Sequence, residues 1–175
     1  MKSTGVIRRI DDLGRIVIPK EIRKNLKIRE GDTLEIFIDG SSVVLRKFSL
    51  MSDFVSTANK LVMIAGNLIR KKILITNSEK IIACTSSIEE IYLNQNLSSF
   101  TLSKFLGRID YFSTSKETVQ FTPNVTENVY LFMSPIIVDS DSIGMVIIFD
   151  DREITDADRL VGKMLSSFFI KSVEG

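Results

Sequence analysis

The sequence predicts an α+β protein of 175 residues made of two unlike parts. Three observations carry this reading. Residues 1–47 alternate short apolar, partly β-branched stretches with single cations, interrupted by glycine and proline turns. Residues 52–70 and 155–173 repeat apolar side chains at helical spacing. Residues 117–149 hold three strand-like runs separated by turns, and with the flanking helices they describe a mixed helix-and-sheet domain. The expected division is residues 1–51, a β-rich module with a short linker, and residues 52–175, the α+β domain.

In the first module, Gly5 to Ile10 reads as a strand. Asp11-Asp12-Leu13-Gly14 reads as a turn, because Asp bonds its own local backbone and Gly accepts positive φ. Arg15 to Ile18 is a second short strand. Pro19 fits the first turn of a helix, where its missing N–H costs nothing, and Lys20 to Leu26 makes about two turns. Glu30-Gly31-Asp32 ends that segment. Leu34, Ile36 and Ile38 alternate with polar positions as one face of a half-buried strand. Asp39-Gly40 is a hairpin signal, and Ser42 to Lys47 returns as the partner. About 47 residues bury little core, and such modules need a metal, disulfides or a partner chain. An obligate dimer is therefore expected.

Phe48 to Met51 reads as the linker and Ser52 to Arg70 as a helix. Its Phe54, Ala58, Leu61, Ala65 and Leu68 form a heptad-like seam. That seam can pack on its own domain or on another subunit. Lys72 to Thr76 and Lys80 to Thr85 form a hairpin around Asn77-Ser78-Glu79. Ser87 to Lys104 is polar and weakly helical. Glu117 to Phe121, Asn128 to Val138 and Ser142 to Phe149 are strands, the last two joined by a tight turn at Asp139-Ser140-Asp141-Ser142. Thr155 to Val173 is a helix that opens with a capping box, Thr155 with Asp158.

Composition excludes several chemistries. The chain has no histidine and one cysteine, Cys84, so histidine-based nucleophile systems, intrachain disulfides and paired-cysteine metal sites are absent. No catalytic constellation, metal site or cofactor motif is found, and the chain is expected not to be an enzyme. No apolar run reaches membrane-spanning length; Leu61 to Ile69 is broken by Gly66-Asn67 and then meets Arg70-Lys71-Lys72. A cytoplasmic location is expected. Asp11, Asp12 and Gly14 read as a turn rather than a carboxylate pair. Asp139, Asp141, Asp150 and Asp151 do not match a calcium loop. Cys84 reads as a small buried hydrophobe. Tyr92, Phe100, Phe105, Tyr111 and Phe112 can line a ligand pocket or fill a core.

Charge separates the two parts. Residues 1–47 hold eleven Lys/Arg against seven Asp/Glu, and the remainder holds twelve against fifteen. Arg8, Arg15 and Arg23 recur around a turn and a short helix, a pattern that points to nucleic acid.

The segments Met1-Lys2-Ser3-Thr4-Gly5, Gly5-Val6-Ile7-Arg8-Arg9-Ile10-Asp11-Asp12-Leu13-Gly14-Arg15, Ile18-Pro19, Glu21-Ile22-Arg23, Glu30-Gly31-Asp32 and Leu34-Glu35-Ile36 resemble, in order, the AbrB-type swapped-hairpin domain of bacterial transition-state regulators. The resemblance covers residues 1–47. Over residues 52–175, strands such as Ser134-Pro135-Ile136-Ile137 and Ile143 to Phe149 resemble the sensor-type second domain of sporulation regulators in the SpoVT-AbrB family. The resemblance implies an interleaved N-terminal homodimer, a GAF-like second domain that joins dimers into a homotetramer, and a transcription factor that activates some late sporulation genes and represses others. It carries DNA contacts onto Arg8, Arg15 and Arg23. Lys24 stands where relatives often have arginine, which keeps a phosphate contact but loses the bidentate fork. Arg9 is a further basic position.

Two other functions compete. An antitoxin uses the same type of first domain but carries a short disordered tail, whereas residues 52–175 have the apolar periodicity of a folded domain. A small-molecule sensor acting through the second domain stays open, its ligand unassigned.

Overall fold

A computed structural model describes residues 5–26, 28, 30, 32–47 and 49–174. The chain divides into two compact units, residues 1–48 and 49–175. The expectations placed on Met1 to Thr4, Gly31 and Phe48 lie outside the described residues.

The first unit contains helix α1 (Lys20–Asn25) and a hairpin of strands β1 (Leu34–Asp39) and β2 (Ser42–Lys47). Pro19 stands just before α1 with extended backbone rather than in its first turn, and the helix starts at Lys20 as expected. The hairpin pairs Leu34 with Lys47 through Asp39 with Ser42. Gly40 opens its two-residue loop at φ +58°, as the tight hairpin turns that follow strand twist require.

Two expectations for this unit fail within one chain. Residues 5–10 and 15–18 are extended but belong to no sheet. Leu34 is half-buried, yet Ile36 and Ile38 are 67% and 83% exposed. The reason is common to both: among the described residues of 5–47 none is buried, and residues 7–10 and 15–18 pair with no described strand.

The second unit is a sheet covered on both faces. Helix α2 (Val55–Ile69) follows a 3-10 turn at Leu50–Ser52. Then come β3 (Lys72–Thr76), β4 (Ile81–Cys84), α3 (Glu89–Tyr92), α4 (Ser99–Gly107), β5 (Tyr111–Phe112), β6 (Glu117–Thr122), β7 (Val125–Val138), β8 (Asp141–Asp150) and α5 (Asp156–Glu174). The sheet order is β4-β3-β8-β7-β5, with β6 also on β7, and its pairings are antiparallel. Strand β5 has only two residues, too few to show a period, and the sequence reading missed it.

Period-two alternation sorts the central strands between two cores. Ile73, Ile75, Phe132, Ile136, Val146 and Ile148 face α2 and α5, where they meet Ala58, Val62, Leu165 and Phe169. Leu74, Leu131, Met133, Met145, Ile147 and Phe149 face the other way, onto Tyr92, Phe105, Val119 and Phe121. The apolar seam of α2 thus packs largely on its own domain, although Leu68 is 72% exposed. Gly162 lets α5 lie close to the sheet, since a Cβ there would stand 2.7 Å from Phe132 Cε1. The capping box forms reciprocally: Thr155 N–H donates to Asp158 Oδ2 at 2.8 Å, and Asp158 N–H donates to Thr155 Oγ1 at 3.2 Å. Asp139 and Ser140, with φ +49° and +70°, make the β7–β8 turn.

Cys84 is buried, and burial followed by the charge of Glu89 pushes its thiol up to about 11. It packs as a hydrophobe. Tyr92 is fully buried, and its hydroxyl donates to Glu127 Oε1 at 2.8 Å. Burial, then that hydrogen bond, push the phenol far above its usual range.

At the end of the sheet Asp150 is buried between cations. Lys71 Nζ lies 3.8 Å from Asp150 Oδ1, and Arg152 Nε donates to the same oxygen at 2.9 Å. Burial would raise this carboxyl, but the hydrogen bonds, chiefly from Arg152, and the charge of Lys71 outweigh it and hold it at about 2. A depressed carboxyl contributes stability that is complete above its ordinary 3.8 and is lost as pH falls towards about 2. Denaturation midpoints measured against pH are expected to show this acid limb. In Asp150→Asn the limb shrinks and stability at neutral pH drops, because Lys71 keeps its buried charge without a counter-ion.

Candidate nucleic-acid interface

The turn at residues 11–15 is closed by its own polar atoms. Gly14 N–H donates to Asp11 O at 3.0 Å, and Asp11 N–H donates to Arg15 O at 3.1 Å. Gly14 takes φ +77°, a conformation that favours glycine. The Asp11 carboxylate organises the rest. Its Oδ1 accepts from Leu13 N–H at 3.1 Å and Arg15 N–H at 2.7 Å, and its Oδ2 accepts from Arg15 Nε at 2.7 Å. The backbone N–H of Arg15, then its guanidinium, pull the Asp11 carboxyl below the usual carboxylate value. Asp11, not Asp12, is therefore the residue that fixes an arginine.

The five cations lie on two local elements. Arg8, Arg9 and Arg15 are exposed on the extended segments either side of this turn. Arg8 Nη1 donates to Ile7 O at 3.0 Å. Arg23 and Lys24 sit in the last turn of α1. Lys24 is exposed. Arg23 is half-buried, and its Nε is buried without a hydrogen-bond partner. Arg15 is thus the cation whose side chain is visibly anchored for display. The cationic run Arg70-Lys71-Lys72, read in the sequence only as the end of an apolar stretch, lines a cleft on the second unit.

The aromatic residues considered as pocket lining separate. Tyr92 and Phe105 are core. Phe100 and Tyr111 meet edge to face at 6.3 Å, with Lys104 Nζ 3.4 Å from the Tyr111 ring centre. Phe112 packs against the opposite core, under the guanidinium of Arg159. Among the described residues, no group of three His, Cys, Asp or Glu could hold a metal ion, and no helix is long and apolar enough to cross a membrane.

Comparison with known proteins fits this geometry. A family model described as antidote-toxin recognition MazE, bacterial antitoxin, matches residues 7–47. Stage V sporulation protein T of Bacillus subtilis (strain 168) is 34% identical over 177 residues, covering 99% of both chains. The chain belongs to the family of stage V sporulation protein T. Transition state regulatory protein AbrB of the same organism is 52% identical over 48 residues, which are 27% of this chain and 50% of that protein. The first unit is thus the family's AbrB-type domain. The blue-light absorbing form of the PixJ GAF domain from Thermosynechococcus elongatus superposes with TM-score 0.53. That match covers 73% of this chain and 89% of that one at 12% identity, and it marks the second unit as GAF-like in fold.

Carboxyl titration of the full chain by NMR is expected to place the Asp11 midpoint below 3.8. In Arg15→Gln the midpoint moves only part of the way back, because the backbone donors of Leu13 and residue 15 remain.

Proposed function

We propose that this chain is a DNA-binding transcription regulator of sporulation, an activator of some late genes and a repressor of others, acting in the cytoplasm. Two first units interleave, and double-stranded DNA is met by Arg8, Arg15, Arg23 and Lys24 of both chains, with Arg9 as a further contact. The observation that carries this reading is the anchored Arg15 turn on a module with no buried residue among those described, in a chain related end to end to a sporulation protein. An interleaved partner would supply strand neighbours for residues 7–10 and 15–18 and cover for Ile36, Ile38 and Val43. Contacts made mainly to phosphates position the protein, and DNA shape then supplies selectivity.

The second unit is proposed to join dimers into a tetramer. Leu160, Met164 and Phe168 recur every four residues along α5 and are 70%, 56% and 41% exposed. Ile64 and Leu68 do the same on α2, which covers the same sheet face. Apolar side chains repeated at helical spacing on neighbouring helices fit a second copy of those helices.

The antitoxin reading draws support from the family model over residues 7–47. Against it stands the folded second unit, which occupies the place of a disordered toxin-wrapping tail.

Arg15→Ala is expected to weaken binding at every DNA site, read by gel shift with the dimer intact. If Arg8, Arg15, Arg23 and Lys24 of both chains meet phosphates, log K plotted against log salt has a slope of roughly −7. Unchanged affinity for Arg15→Ala at moderate salt would overturn the assignment. Met164→Glu is expected to convert tetramers to dimers in light scattering while single-site DNA binding survives. A Met164→Glu tetramer would move the assembly surface elsewhere.

A further inference from the structure

The surface proposed to meet DNA carries an acid. Asp11 stands in the turn between the segments that display Arg8 and Arg15. A carboxylate in that place is repelled by phosphates, so on charge alone each copy weakens DNA binding. Its hydrogen bonds give it two separate tasks. Oδ1 accepts from the backbone N–H groups of Leu13 and Arg15, at 3.1 and 2.7 Å, and closes the turn. Oδ2 accepts from Arg15 Nε at 2.7 Å and aims the guanidinium.

The choice of Nε matters. A guanidinium offers five N–H donors in a planar fork. Engaging Nε leaves the two terminal amino groups for an outside acceptor, on a side chain that is 70% exposed. Arg8 is held differently: its Nη1, one of the groups that would face a phosphate, donates to the carbonyl of Ile7. Asp12, the other acid of the turn, is exposed and is not paired with Arg15. Binding through a long free side chain costs rotamer entropy, and an arginine fixed beforehand has lost much of it before DNA arrives.

We propose that Asp11 is a positioning residue for DNA recognition, holding Arg15 by Nε so that its terminal amino groups meet the backbone of a duplex of matching groove shape. This role rests on the DNA contact assigned to Arg15. A fixed cation rewards a phosphate at one place only, so it favours DNA whose backbone follows the protein. A released arginine reaches phosphates on any duplex. Asp11 thus gives up non-selective affinity and gains selectivity.

Full-chain affinities at physiological ionic strength test this on two duplexes of equal length, one selected by the parent chain from a random pool and one scrambled. Asp11→Asn keeps an acceptor for the two backbone N–H groups but turns an amide donor towards Nε, so the turn stays and Arg15 is released. Affinity for the selected duplex is expected to fall about tenfold, roughly threefold for each chain of a dimer. Affinity for the scrambled duplex stays level or rises. Asp11→Ser, which closes such turns but is too short to reach the guanidinium, repeats this result. Asp12→Asn, the same loss of charge one residue away, spares the selected duplex. In an Arg15→Ala background, Asp11→Asn causes no further loss. Unchanged or tighter binding of the selected duplex by both Asp11 variants, where Arg15→Ala weakens it, overturns the proposal and leaves the DNA reading standing. Equal weakening on both duplexes, or the same loss in the Arg15→Ala background, overturns it in favour of a general role in folding the turn. No effect of Arg15→Ala on either duplex removes the contact on which the role rests and overturns both.

Discussion

Ordering the backbone of a short module costs about 1–2 kcal/mol per residue, and burial of apolar side chains, at about 1.5–3 kcal/mol each, must offset it. Residues 5–47 have the side chains for this but not the burial. Ile7, Leu13, Val17, Ile38 and Val43 are each at least two-thirds exposed, and no described residue of the module is buried. Everything the first unit does depends on closing that deficit. A second copy closes it in the way that the local structure already prepares. Residues 8–10 and 16–18, on either side of the Asp11–Gly14 turn, are extended and outside any sheet, the backbone shape that a partner strand pairs with.

Local and assembled geometry then divide the work of display. Arg15 is oriented by a neighbour four residues away, through a carboxylate that also holds two backbone N–H groups. That part of the site survives in a single chain. In the proposed dimer, the spacing between Arg15 and its symmetry mate, and between the turn and α1, is set by the interleaved core. Loss of a core residue such as Ile38 would therefore disturb DNA affinity without touching a cation, whereas loss of Asp11 would disturb one cation without touching the core.

The legibility of the chain follows the same division. Features fixed by neighbours in sequence were readable: the Asp11–Gly14 turn, the Asp39-Gly40 hairpin, the Thr155–Asp158 capping box and the long apolar runs of β7 and β8. The two aromatic fates were not, because Tyr92 and Phe112 end on opposite faces of a sheet whose order joins β3 to β8 across most of the domain. Strand β5 exists only because Tyr111 and Phe112 lie beside Phe132 and Met133. Residues 5–10 and 15–18 read as strands because their pattern is that of paired segments, and one chain does not contain the pair. Arg70, Lys71 and Lys72 look equivalent in sequence, yet tertiary contacts commit Lys71 to Asp150, lay Lys72 over the Phe149 ring and leave Arg70 exposed.

The GAF-like unit narrows how a signal could enter. The layer between the sheet and α3–α4 is filled by Tyr92, Phe121 and Phe149, whose rings stand 4.7–6.4 Å apart. Tyr92 is further tied to Glu127. A ligand lodging there would have to displace a packed aromatic cluster and break that hydrogen bond. The cleft between the end of α2 and the turn after β4, lined by Gly66, Arg70 and Ser87 among others, imposes neither cost. It also lies against α2, the helix whose outer residues Ile64 and Leu68 belong to the proposed assembly surface. A ligand shifts a conformational equilibrium only by its difference in affinity for the two states. A ligand between α2 and the turn after β4 would couple to assembly only by such a difference, and assembly would change its affinity by the same factor.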